Sequence, residues 1–171
     1  MRDFWVFGYG SLMWRPGFEY IERKRAKIYG LHRRFCVHSW EHRGTQDDPG
    51  LVLGLDVGGS CIGLAMKVAG NNREDVISYL RERELITKVY VECWRDVELE
   101  KGEKVSALVY RADRNHIQYA KGMSLDEQVE VIRHAKGAYG PNIEYARGTV
   151  ESMLAEGISD KQLEYIYERL A

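Results

Sequence analysis

Phe4-Trp5-Val6-Phe7-Gly8-Tyr9-Gly10-Ser11-Leu12-Met13-Trp14 begins as an apolar run and breaks at a glycine. The run predicts a short strand that stops at Gly8. Two glycines around Tyr9 let the backbone turn sharply and approach a ligand closely. Successive N–H groups in such a turn form a concavity suited to a carboxylate or an oxyanion. The same spacing also suits a plain strand-ending turn. Several chemistries are excluded here. Met13 stands where a dinucleotide fingerprint needs its third glycine, and no Gly-Lys-Ser/Thr follows for a P-loop. Ser11 has no glycine two residues on, which argues against a nucleophile elbow.

Downstream, period-two patterns continue. Phe35, Val37 and Ser39 share one face, with Cys36, His38 and Trp40 on the other. Leu51-Val52-Leu53-Gly54-Leu55 and Cys61-Ile62-Gly63-Leu64-Ala65-Met66 flank Gly58-Gly59, a hairpin signal. Val89, Val91 and Cys93 form one face of a further strand, and Val105, Ala107 and Val109 one face of the next. A Lys101-Gly102-Glu103 turn joins these two. Repeated strands with short connections predict an α+β fold with a compact, mixed, antiparallel-rich β-barrel and surrounding helices. One helix interrupts the strands, with Asn72 as its expected cap. Ser124-x-x-Glu127 and Ser159-x-x-Gln162 read as capping boxes of C-terminal helices. Leu163, Ile166, Tyr167 and Leu170 recur at helical spacing behind the second.

The chain has 171 residues, which suits a single domain over 1–171. Its formal charge of −1 argues against a nucleic-acid binder as the default. No apolar stretch is long enough for a membrane-spanning helix, and none near the start resembles a leader. The cysteines Cys36, Cys61 and Cys93 are odd in number and widely spaced, so a cytoplasmic location is expected. The five histidines form neither H-E-x-x-H nor a zinc-type Cys/His spacing, so no metal is expected.

The interrupting helix, over residues 72–85, contains one anomaly. At ~100° per residue, Val76, Leu80 and Glu84 fall at about 0°, 40° and 80° on the helical wheel. Glu84 thus lies within the apolar stripe, whereas Asp75 and Glu82 take the opposite face. A carboxylate there loses hydration, which raises its pKa, and the helix C-terminus pushes the same way. Such a group suits general acid/base work near neutral pH. Two bland alternatives stand beside this one: a pairing with Arg81 or Arg83, or a fraying helix end with Glu84 in water.

These residues together resemble the ChaC-type γ-glutamylcyclotransferases. The glycine loop Phe7–Trp14 looks like the start of that family. The likeness continues through Arg33-Arg34-Phe35, through Ser39 with His42-Arg43-Gly44, and through Pro49-Gly50-Leu51-Val52. It resumes at Tyr79-Leu80 with Arg83-Glu84, where the family carries its catalytic glutamate. It ends at Gly140-Pro141-Asn142 with Glu144-Tyr145. One departure is visible. Many eukaryotic members have Gly-Gly-Tyr soon after the Arg-Glu pair, whereas here Leu85-Ile86-Thr87-Lys88-Val89 precede Tyr90 without a glycine.

The resemblance implies cleavage of glutathione to 5-oxoproline and cysteinylglycine, with no metal or organic cofactor. It implies a lyase with Glu84 as the acid/base residue. The γ-glutamyl unit carries its own nucleophile, its α-amine, which fits the lack of a recognisable Ser or Cys triad. The backbone N–H groups of Tyr9, Gly10, Ser11 and Leu12 are candidates for holding the α-carboxylate or the oxyanion. Arg43, Tyr90 and Tyr145 are candidate substrate contacts, and Arg34 a possible attractor of carboxylates. The expected partner is a small molecule, with no nucleic acid and no membrane; the sequence leaves the oligomeric state open. The alternatives are a cyclotransferase for other γ-glutamyl amino acids or γ-glutamylamines, and a non-catalytic regulatory module on the same scaffold.

Overall fold

In the computed structural model, which describes residues 1–171, the predicted first strand is β1, Phe4–Gly8. Three long segments follow it: β2 (Glu22–Ser39), β3 (Gly50–Val68) and the helix α1 (Arg73–Glu84). The hairpin β4 (Tyr90–Leu99) and β5 (Lys104–Ala112) comes next. The chain ends with α2 (Leu125–His134), the short β6 (Lys136–Gly137) and β7 (Gly140–Pro141), α3 (Asn142–Ala155) and α4 (Lys161–Leu170). The class is α+β, as expected. The five long strands close a barrel in the order β1-β3-β2-β4-β5.

The chain divides into two compact units. One comprises Met1–Arg33 with Leu55–Asp113, the other Arg34–Gly54 with Arg114–Ala171. In the first unit β1 runs antiparallel to β3, from Phe4↔Val68 to Gly8↔Leu64. It runs parallel to β5 at Trp5↔Ala107 and Val6↔Leu108, the one parallel pairing described. The predicted β4–β5 hairpin is present, from Tyr90↔Ala112 to Glu98↔Lys104. Leu108 and Tyr110 of β5 share a face and meet Phe4 and Val6 of β1, Met66 and Val68 of β3, and Val76 and Leu80 of α1. Ala107 and Val109 on the other face are buried too. With both faces covered, β5 reads as a continuous apolar run rather than a clean alternation.

Three expectations are corrected. Residues 50–68 are a single strand, not a hairpin; Gly58 and Gly59 lie within it at φ of +105° and +63°. The two halves do not pair with each other because β1 and β2 already occupy the flanks of β3. Asn72 does not cap α1 through its side chain. It belongs to a 3-10 turn (Gly70–Asn72), and its N–H bonds the Ala69 carbonyl at 2.9 Å, so it lacks the extended backbone a cap needs. The cap of α4 is Asp160, whose Oδ1 accepts from the Leu163 N–H at 3.2 Å. Ser159 instead donates to the Glu164 carboxylate at 3.1 Å. The Ser124 capping box is present in both directions.

The second unit packs α2, α3 and α4 through Val129, Ile132, Ala146, Val150, Met153, Leu163, Ile166 and Leu170, all buried. Asn142, fully buried at the start of α3, imitates a neighbouring strand. Its Oδ1 accepts from the Leu51 N–H (2.8 Å) and its Nδ2 donates to the Leu51 carbonyl (2.9 Å). This satisfies a backbone edge that would otherwise be left bare.

Candidate active site

Glu84 is the last residue of α1, four residues beyond the fully buried Leu80 and on the same stripe. The stripe faces β1, β3 and β5, which keeps most of the Glu84 side chain out of water: 17% of it is exposed. Burial pushes its carboxyl above the ordinary carboxylate range, and the Arg83 charge opposes this. Of the alternatives open at the sequence level, the arginine pairing is present in part. Arg83 Nε lies 3.4 Å from Glu84 Oε1, yet desolvation outweighs it.

Arg83 also links Glu84 to the glycine loop. Its Nη2 donates to Ser11 Oγ at 3.0 Å, and its Nη1 faces the carbonyls of Arg15 (2.6 Å) and Pro16 (3.2 Å) and the Tyr79 hydroxyl (3.1 Å). A planar guanidinium with five donors can serve several acceptors at fixed angles, which a lysine cannot. The loop itself tightens into a 3-10 turn, Ser11–Met13, closed by the Met13 N–H on the Gly10 carbonyl at 2.9 Å. The first N–H groups of such a turn have no acceptor within it. Leu12 is anchored in the cluster that holds Leu80 and Tyr110.

A second arginine braces the loop from beneath. Arg33, only 2% exposed, donates from Nε to the Tyr9 carbonyl (2.6 Å) and from Nη2 to the Ile62 carbonyl (2.7 Å). Its burial follows from strand phase. Ala26 and Ile28 are buried, then Leu31, Arg33, Phe35 and Val37. Gly30, at φ +87°, inserts one residue and switches the inward parity from even to odd. The sequence reading missed this arginine as a support, although it shares parity with Phe35 and Val37. It also missed Tyr110 and Glu92. The Tyr110 hydroxyl donates to Glu92 Oε1 at 2.8 Å, and Arg81 grips the same carboxylate with Nε (3.0 Å) and Nη2 (2.9 Å).

Tyr9, Gly10, Ser11, Leu12, Glu84 and Tyr90 lie in the first unit. Tyr90 begins β4 and packs half-buried against the Leu80 cluster. In the glycine-free stretch between Glu84 and Tyr90, Lys88 takes a left-handed conformation at φ +60°. Arg43 and Tyr145 lie in the second unit, where each has a structural task. Arg43 Nη1 donates to the Tyr139 (3.0 Å) and Pro141 (3.2 Å) carbonyls and sits over the Tyr145 ring. The Tyr145 hydroxyl oxygen accepts from the Leu53 N–H at 3.0 Å. Arg34 donates to the Met123 carbonyl at 2.5 Å.

The model of the ChaC-like protein family matches residues 4–170. The chain belongs to this family. Among its ChaC-like relatives, the glutathione-specific gamma-glutamylcyclotransferase of Escherichia coli (strain K12) is 33% identical over 159 residues, 93% of this chain and 69% of that protein. Glutathione-specific gamma-glutamylcyclotransferase 1 of Danio rerio is 37% identical over 154 residues, 87% of this chain and 78% of that protein. A crystal structure of a yeast gamma-glutamyl cyclotransferase specific to glutathione has the same fold. Its TM-score is 0.85 at 24% identity, covering 99% of this chain and 96% of the yeast one.

Proposed function

We propose that this ChaC-like chain is a lyase that cleaves glutathione, closing its γ-glutamyl group to 5-oxoproline and releasing cysteinylglycine. One observation carries the reading: a mostly buried carboxylate with a raised pKa is held by Arg83 beside a glycine turn. The substrate's α-amine attacks its own γ-carbonyl, so the protein supplies position and proton transfer rather than a nucleophile. The attacking nitrogen passes from ammonium to lactam N–H. The departing nitrogen passes from amide N–H to ammonium. Two protons therefore cross in all, and Glu84 can carry each in turn, taking from one nitrogen and giving to the other. No water is consumed, and the carboxylate returns to its starting state. Acid/base help of this kind contributes about 10²–10⁴-fold.

The amides of Tyr9, Gly10, Ser11 and Leu12 are proposed to hold the α-carboxylate or the oxyanion. Tyr90 is proposed as a further contact. Arg43 and Tyr145 are proposed on family resemblance alone. The family match runs through both units, which supports reading 1–171 as one catalytic domain. The odd number and wide spacing of Cys36, Cys61 and Cys93 support a cytoplasmic setting.

The test compares 5-oxoproline release from glutathione, γ-glutamylalanine and γ-glutamyl-lysine. Glutathione is expected to lead in kcat/KM by on the order of tenfold or more. A lead by either other substrate reassigns the specificity, and no release from any of them revives the non-catalytic module.

A further inference from the structure

The elements packed around the end of α1 carry several charged or titratable groups. From α1 these are Arg81, Arg83 and Tyr79. From β4 they are Glu92 and Tyr90, from β5 Tyr110, and from the glycine loop Ser11 and Arg15. Of the cations, Arg83 is already committed to the loop and to Glu84. Arg81 is three residues before Glu84 on the same helix, a spacing at which side chains meet. Tyr110 belongs to the cluster that includes Leu80 and Leu12, and its phenol feels the Glu84 charge. Arg81 and the Tyr110 hydroxyl are both donors that would stabilise a carboxylate at position 84. Both are bonded to another carboxylate. Glu92 is the cross-strand partner of Tyr110 and takes both, through three contacts of 2.8–3.0 Å.

We propose that Glu92 is a positioning residue for the reaction: it draws Arg81 and the Tyr110 hydroxyl away from Glu84 and leaves that carboxylate free to accept the substrate's proton. The inference rests on Glu84 being the acid/base group proposed above. Its chemistry is a competition between two anions for two donors. The Arg81 hydrogen bonds hold the Glu92 carboxyl below its ordinary range, so Glu92 stays charged and keeps its grip. An opposite charge within ~4–6 Å lowers a carboxyl pKa by about one unit or more. Arg81 released onto Glu84 would therefore weaken it as a base.

The experiment follows the Glu84 carboxyl directly by ¹³C NMR titration of glutamate-labelled protein, beside the pH profile of kcat/KM for glutathione. In Glu92→Gln the amide loses the charge and one of the two acceptor oxygens, so its hold on Arg81 is weakened. The Glu84 midpoint and the acid limb are both expected to fall by about one pH unit. Turnover should drop several-fold with KM within twofold. Adding Arg81→Ala to Glu92→Gln should restore most of the midpoint. A folded Glu92→Gln protein whose Glu84 midpoint does not move overturns the proposal, whatever its activity. A midpoint that falls while the acid limb stays put upholds the Glu92 effect and instead contradicts Glu84 as the base. Tyr110→Phe gives an independent check that removes one donor to Glu92 but leaves its carboxylate and both Arg81 contacts in place. The Glu84 midpoint should hold, because the hydroxyl already donates elsewhere; a rise of about one unit would mean that it donates to Glu84, which also overturns the proposal.

Discussion

At position 84 stability and the proposed chemistry pull in opposite directions. A carboxylate whose folded-state pKa lies above its unfolded value contributes stability only at low pH, and that contribution is lost as pH rises through the folded value. The wild type therefore carries a burden at neutral pH that an uncharged side chain does not. Glu84→Gln is expected to raise unfolding stability at pH 7.5, by on the order of 1 kcal/mol, and to change it less at pH 4. Urea unfolding at the two pH values measures this. A loss of stability at pH 7.5 would mean that the Arg83 contact outweighs burial. Lys88 is a second residue-scale case. Its φ of +60° costs an L-residue roughly 1–2 kcal/mol, so Lys88→Gly should raise the urea midpoint, by about 1 kcal/mol in stability. An unchanged or lower midpoint would count against that strain. Glu84 was legible because an acidic residue interrupts an apolar stripe. Lys88 was not legible, since nothing in a lysine announces a left-handed backbone.

At the scale of elements, α1 is the part that fixes the site. Leu80 is fully buried between Val76 and the β1, β3 and β5 faces, and Glu84 follows it by one helical turn. Leu80→Ala is expected to cost about 2–5 kcal/mol through the cavity it leaves, and to slacken the helix end that aims Glu84. Thermal or urea unfolding reads the first effect and a fall in kcat the second. Full activity at full stability would contradict this placement. The stripe of α1 and the β4–β5 hairpin were readable because each obeys one period throughout. The first half of β2 was not read, because Glu22-Arg23-Lys24-Arg25 has charge on both faces and Gly30 shifts the phase midway. The Gly58-Gly59 pair misled for a different reason. Glycine signals permission to turn, and which neighbours are available decides whether the chain does.

For the whole molecule, the candidate catalytic group draws on segments far apart in sequence: Tyr9–Leu12, Arg33, Tyr79–Glu84, Glu92 and Tyr110. Local spacing revealed the loop and the glutamate. It did not reveal that one guanidinium, Arg83, joins them, nor that Arg33 supports the loop from a buried strand position. The Glu92–Tyr110 pairing was within reach of the sequence, since counting outward from Glu98↔Lys104 at the predicted turn places them opposite each other. The account as a whole stands on Glu84 moving protons for a substrate that supplies its own nucleophile. Glutathione turnover by Glu84→Gln, with binding followed by calorimetry, tests this most directly. The account predicts a kcat at least about 100-fold below wild type with glutathione affinity within a few-fold. A variant that releases 5-oxoproline at the wild-type rate would contradict it.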